Sequence, residues 1–108
     1  MVSLGVNIIP MAPVDELVSY GQEAERLGFD RFWVMDEGLA TRDVYITLAA
    51  IAQKTNNILL GTGITNPYTR HPAVTAASIA TLDELSGGRA ILGIGAGGSL
   101  TLDPMLIE

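Results

Sequence analysis

The feature that most constrains this chain is its alternation between two hydrophobic patterns. Short apolar runs that stop at Gly, Pro or an acid are separated by longer stretches with apolar residues every three or four positions. Leu4 to Ile9 stops at Pro10 and reads as a strand. Val14 to Leu27 carries Val14, Leu17, Val18, Gly21, Ala24 and Leu27 on one helical face. Asp15 and Glu16 sit in its first turn, where carboxylates suit the helix dipole, and Gly28 is placed to end it. Arg31 to Met35 is a second strand, apolar enough to be buried on both faces. Asp43 to Lys54 is a second helix, with Thr41 or Asp43 as its cap. Ile58 to Gly63 is a third strand. Pro72 to Leu85 is a third helix, with Pro where a missing N–H costs nothing and Ser86-Gly87-Gly88 as its stop. Ala90 to Gly95 is a fourth strand, and Ala96 to Glu108 shows no clear period.

Strands separated by amphipathic helices require a parallel sheet with right-handed crossovers. The units recur roughly every 30 residues, which fits a barrel or a doubly wound sheet and not a solenoid. No linker, charge run or low-complexity segment divides the chain, so it reads as one domain over residues 1–108.

Composition narrows the function classes. The 108 residues are 48% hydrophobic, high for a short chain with much surface for its volume. Some of that apolar surface is expected to meet another copy or more of the same chain. The net charge of −6 and scattered Lys and Arg exclude a phosphate-backbone partner and a basic membrane-binding face. Cysteine is absent, which removes disulfides, thiol nucleophiles and cysteine metal sites; no metal site is expected. No apolar run is long enough for a membrane span, and the N-terminus lacks a basic leader, so a cytoplasmic protein is expected.

In parallel folds, ligands bind beyond the C-terminal ends of the strands. Four segments qualify. Pro10 to Pro13 follows strand 1. Asp36-Glu37-Gly38 follows strand 2, where paired acids suit acid–base work or a cofactor contact. Thr62 to His71 follows strand 3: Gly61 and Gly63 flank Thr62, where backbone can approach a flat ring, and Thr65, Asn66, Arg70 and His71 add polar groups. Gly93 to Ser99 follows strand 4 and brings backbone close to a ligand through Gly97 and Gly98, without matching a dinucleotide fingerprint or a P-loop. Each segment also has a plainer reading as a connector. His71 before Pro72 reads as a helix cap, and Phe32 and Trp33 read as core.

Four stretches together resemble the luciferase-like flavin and deazaflavin oxidoreductases. They are Ala24 to Asp30 into Phe32 to Asp36; Thr47 to Ala52 into Leu60 to Gly63; Asn66-Pro-Tyr-Thr-Arg-His-Pro72; and Leu82-Asp-Glu-Leu-Ser-Gly-Gly-Arg89 into Leu92 to Gly95. The third resembles the coenzyme F420-dependent branch, the methylenetetrahydromethanopterin reductases in particular. The resemblance implies the N-terminal half of a (β/α)8 TIM barrel: four parallel strands with three intervening helices, and a cofactor at the C-terminal face. It implies hydride transfer between coenzyme F420 and a small organic substrate, a methylene-tetrahydropterin being one candidate. Alternatives are an FMN-dependent monooxygenase and a non-catalytic half-barrel that only assembles or binds.

The implied cofactor contacts are Asp36, Thr62, Gly63, Ile64, Asn66, Gly97 and Gly98, with Asp36 and Glu37 as catalytic candidates. A bulge at Thr62 to Ile64, often with a non-prolyl cis peptide, is implied behind the ring. Gly63→Val is expected to harm ring binding more than folding. Asp36 is expected to face the open end of the sheet without a basic partner from its helix layer. Glu37 stands where some relatives carry His, and Gly98 where some sugar-phosphate dehydrogenases carry an acid. A whole barrel takes roughly 200 residues or more. The chain is therefore expected to be truncated at its C-terminus, inactive alone, and part of a homo-oligomer or a longer chain.

Overall fold

The computed structural model describes residues 2–105. Its strands are β1 (Gly5–Ile8), β2 (Arg31–Val34), β3 (Leu59–Thr62) and β4 (Ala90–Ile91). Its helices are α1 (Val14–Arg26), α2 (Val44–Ala52), α3 (Pro72–Leu85) and a short α4 (Ser99–Leu102), with 3-10 turns at Gly38–Ala40 and Asp103–Met105. The four strands form one parallel sheet in the order β1-β2-β3-β4. Sequential order without a reversal is the arrangement of a barrel wall; a doubly wound sheet changes direction at a switch point.

The register explains the core. Val6, Phe32, Leu60 and Ala90 lie on one line across the sheet, and α1, α2 and α3 lie side by side against that face. Phe32, Val34 and Leu60 are buried there with Leu48, Ile51 and Leu82, and Val6 and Ile8 pack at the margin. Each fully buried side chain of this size contributes about 1.5–3 kcal/mol.

The next line, Asn7, Trp33, Gly61 and Ile91, faces the other side, which no described helix covers. The expectation that β2 is buried on both faces, with Trp33 in the core, is therefore corrected: Trp33 is half-buried on the open face. Its indole lies over glycines. A Cβ at Gly61 would sit 2.5 Å from Trp33 Cζ3, at Gly63 2.8 Å from Trp33 Cβ, and at Gly5 3.2 Å from Trp33 Nε1. The flat ring that Gly61 and Gly63 accommodate is the protein's own. Gly63→Val would thus also press on the Trp33 side chain of the neighbouring strand.

Most elements end within two residues of the sequence reading, and the larger differences, at β4 and after it, have local reasons. Pairing in β4 stops at Ile91 because the Thr62 hydroxyl takes over: it donates to Gly93 O at 2.8 Å and accepts from Gly93 N at 3.0 Å. A bridge between Thr65 and Ile94 then rejoins the two segments. Residues 99–102 form a helical turn too short to show a period in sequence, and the stretch past Met105 lies outside the described residues.

Caps fall where residue chemistry places them. Asp43 accepts from Ile46 N at 2.9 Å, and His71 Nδ1 accepts from Ala73 N at 3.1 Å. His71 is a cap, as its position before Pro72 suggested.

The N-terminal rim is closed by the Ser86-Gly87-Gly88-Arg89 element. Both glycines have positive φ, 69° and 87°, which turns the chain sharply enough to bring Arg89 beneath the sheet. Arg89 is buried, and its Nε, Nη1 and Nη2 donate to Ser86 O, Thr55 Oγ1, Ile58 O, Ala52 O and Thr55 O at 2.7–3.1 Å. Beside it the Glu25 carboxylate accepts from the backbone N–H groups of Asn56, Asn57 and Ile58.

Candidate functional site

Beyond the C-terminal ends of β2 and β3, the loops open a pocket of about 350 Å³, within the range of small-molecule sites. Its walls include Asp36 and Glu37 after β2, Gly63 to Asn66 after β3, and Ala96 to Gly98 after β4. Of the other expected contacts and catalytic candidates, Glu37, Gly63, Ile64, Asn66, Gly97 and Gly98 also line it. Thr62 does not, because its hydroxyl is spent closing β3 to Gly93; it lines a neighbouring pocket of about 340 Å³ with Asn7, Trp33 and Gly93.

The bend after β3 is built as the resemblance implied. The Gly63–Ile64 peptide is cis, Asn7 Nδ2 donates to Gly63 O at 3.3 Å, and the Ile64 side chain is 52% exposed. Ile64 is thus an apolar surface offered to the site.

Asn66 is 2% exposed, and its Oδ1 accepts from Tyr68 N and Thr69 N, both at 2.9 Å. The carbonyl end holds the loop, so the amide nitrogen is the end left for a ligand. Gly97, with φ 78°, packs against Asn66 and Leu102, whereas a Cβ at Gly98 would meet nothing within 4 Å. Glu37 Oε2 accepts from Thr101 Oγ1 at 3.2 Å, tying the β2 loop to α4.

Asp36 lies at the C-terminal end of the sheet, as the strand register required, and is buried. Its Oδ2 accepts from Thr65 Oγ1 and Arg70 Nη1, each at 2.6 Å. No helix beneath supplies this base; it comes from the next loop, because a carboxylate out of water needs a counter-charge. Arg70 Nη2 also donates to Asp43 Oδ1 at 3.0 Å, and Arg70 Cζ lies 4.9 Å from the centre of the Tyr45 ring. Burial weighs against the charge on Arg70, but Asp36, and then Asp43, outweigh it and hold the guanidinium above its ordinary pKa. Burial pushes the Tyr45 phenol up, against the opposing pull of the Thr65 hydroxyl and the Arg70 charge beside it. Sequence reasoning named Thr65 and Arg70 as polar additions to the loop but did not pair them with Asp36; no local pattern links residues so far apart.

A larger groove, about 480 Å³, runs between α2 and α3. Ile46, Ala49, Val74, Ala77 and Leu82 line it with the hydroxyls of Tyr45, Ser78 and Thr81, and none of its lining residues is a carboxylate, Lys, Arg or His.

The pocket thus sets the apolar Ile64 side chain beside the Asp36 carboxylate, the Asn66 amide and the bare backbone of Gly98.

The chain is similar in sequence and fold to known proteins. The chain is 50% identical over 106 residues to the 5,10-methylenetetrahydromethanopterin reductase of Methanolobus tindarius, covering 98% of this chain and 32% of that one. The solved structure of the coenzyme F420-dependent tetrahydromethanopterin reductase from Methanopyrus kandleri superposes with a TM-score of 0.95 at 42% identity, covering 99% of this chain and 30% of that one. More distant is a type II Baeyer–Villiger monooxygenase of Pseudomonas putida in complex with FMN, with a TM-score of 0.74 at 25% identity over 90% of this chain and 31% of that one. The chain thus spans about a third of the length of the curated relative it matches, 32%, and has the fold of the N-terminal half of a TIM barrel. The family model for luciferase-like monooxygenases matches residues 2–103, and the chain belongs to that family.

Proposed function

We propose that this chain forms the cofactor-binding side of an oxidoreductase that transfers a hydride between coenzyme F420 and a small organic substrate, with a methylene-tetrahydropterin as the favoured candidate. The observation that carries this reading is the pocket at the ends of β2 to β4, whose walls bring together Asp36, Gly63, Ile64 and Asn66, contacts that the resemblance implies. The 50% identity to a protein named methylenetetrahydromethanopterin reductase supports the substrate.

When bound, the cofactor supplies the hydride chemistry, and the protein supplies binding, orientation and shielding. Ile64 would pack against the ring, and Asn66 and Asp36 would hold its polar edge. The absence of side chains at Gly97 and Gly98 would let backbone approach. Glu37 and α4 would shield the pocket's outer wall. Substrate-side groups are expected from further strands, so residues 1–108 by themselves are expected to be inactive. The charge-free groove between α2 and α3 supports self-association, which sedimentation at micromolar concentration would read out.

The second reading, an FMN-dependent monooxygenase, is favoured only by the more distant FMN-bound structure. The deciding experiment is titration of the protein expressed from its complete gene with coenzyme F420 and, separately, with FMN, followed by fluorescence. Saturable binding of F420 and weak or no binding of FMN is expected. Binding of FMN alone would overturn the reading.

A further inference from the structure

We infer that Arg70 is a positioning residue for this pocket: it locks Asp36 as a hydrogen-bond acceptor and thereby takes Asp36 out of acid–base work. The inference rests on the reading of the pocket as the F420 site.

The two oxygens of Asp36 are in unequal situations. Oδ2 is saturated by Thr65 Oγ1 and Arg70 Nη1, each at 2.6 Å. Oδ1 has only a long contact from Gly38 N at 3.4 Å. A proton arriving on Oδ1 would neutralise the carboxylate and so weaken the charge-assisted hydrogen bond from Arg70 in a buried place, where such bonds are strongest. Acceptance through Oδ1 requires no such loss.

Arg70 is itself immobilised. Its second nitrogen donates to Asp43 Oδ1 at 3.0 Å, and its Cζ sits 4.9 Å from the Tyr45 ring centre. Asp43 is the cap of α2, so Arg70 bolts the loop after β3 to both ends of the loop after β2. The groups around Asp36 are thus Arg70 and Thr65 from one loop, Glu37 from its own loop, Asp43 and Tyr45 from α2, and Thr101 beyond Glu37 on α4. Arg70 alone among them is a cation.

The test uses Arg70→Met, Asp36→Asn and the double variant in the protein expressed from its complete gene, with F420 affinity measured for each. Arg70→Met is expected to weaken binding on the order of tenfold, as when a partner that orients a ligating group is removed. Asp36→Asn is expected to weaken binding as well. The double variant should match Asp36→Asn, since a residue that acts only through Asp36 has nothing left to act on. A double variant weaker than Asp36→Asn would assign Arg70 a merely structural role and overturn the inference. If Arg70→Met does not fold, the comparison of the double variant with Asp36→Asn decides alone. Wild type that fails to bind F420 overturns the pocket reading and this inference together; wild type that binds beside an unaltered Arg70→Met overturns this inference only.

Discussion

The two rims of the sheet each hold a well-anchored arginine, and the contrast between them separates stability from function. At the N-terminal rim, Arg89 gives its hydrogen bonds to four backbone carbonyls and one hydroxyl, and Glu25 accepts from three backbone amides. Every partner belongs to the fold, and little is left over for a ligand. At the C-terminal rim, Arg70 pairs with side-chain carboxylates from a loop and a helix cap, and Asp36 Oδ1 and the Asn66 amide nitrogen have no strong partner among the described residues. Saturated polar groups hold a structure; incompletely satisfied ones around a cavity await something else. This agrees with the division of labour in barrels, where chemistry gathers at the C-terminal face.

The contrast can be broken most forcefully at Arg89. Arg89→Met keeps the aliphatic volume but strands four buried carbonyls. Hydrogen bonds from a charged donor contribute about 1.5–3 kcal/mol each, and the loss is expected to reach on the order of 4 kcal/mol. Urea denaturation would show it, while F420 affinity per folded molecule should stay unchanged. A small shift in midpoint, or a selective loss of affinity, would erase the distinction between the rims.

Gly61 lies between them and is expected to give the next largest effect. A Cβ there would come within 2.5 Å of Trp33 Cζ3 and 2.8 Å of Ile91 O. Gly61→Val is expected to cost about 1–3 kcal/mol, the usual range for overpacking. Adding Trp33→Leu should recover part of the melting temperature but not all, because the Ile91 carbonyl is backbone and cannot move aside. Full recovery would mean that the indole alone determines the glycine.

The smallest effect belongs to Glu25. Burial works to raise its pKa, but the amides of Asn57, Ile58 and Asn56, with Arg89 nearby, outweigh burial and hold it below the ordinary value. A carboxyl depressed on folding stabilises above its unfolded pKa, about 4.3, and that stability fades as pH falls through the folded value. Denaturation midpoints of wild type should therefore decline from about pH 5 downward, and Glu25→Gln should flatten part of that decline. Identical acid limbs for the two proteins would show that the Glu25 contacts contribute nothing.

Much of this protein was determined locally. The alternation of hydrophobic periods is enough for four strands and three long helices, because burial of one face sets each period whatever the neighbours are. Capping by Asp43 and His71 followed from residue chemistry at helix starts. Placement of Asp36, Gly63, Asn66 and Gly97 at strand ends followed from the rule for parallel sheets, and the run from Asn66 to Pro72 carried the family.

Tertiary structure alone decided who meets whom. Only the register of β1, β2 and β3 sets Gly5, Gly61 and Gly63 against the Trp33 side chain, whereas Gly61 and Gly63 read in sequence as room for a ligand. Arg70 stands 34 residues from Asp36, and Thr101 stands 64 from Glu37. Arg89 reaches carbonyls 31 to 37 residues away. A hydrophobic period says which face of an element is buried, but it carries no information about the element packed beside it. That information arises when each crossover lays one strand against the last and brings successive loops into hydrogen-bonding reach.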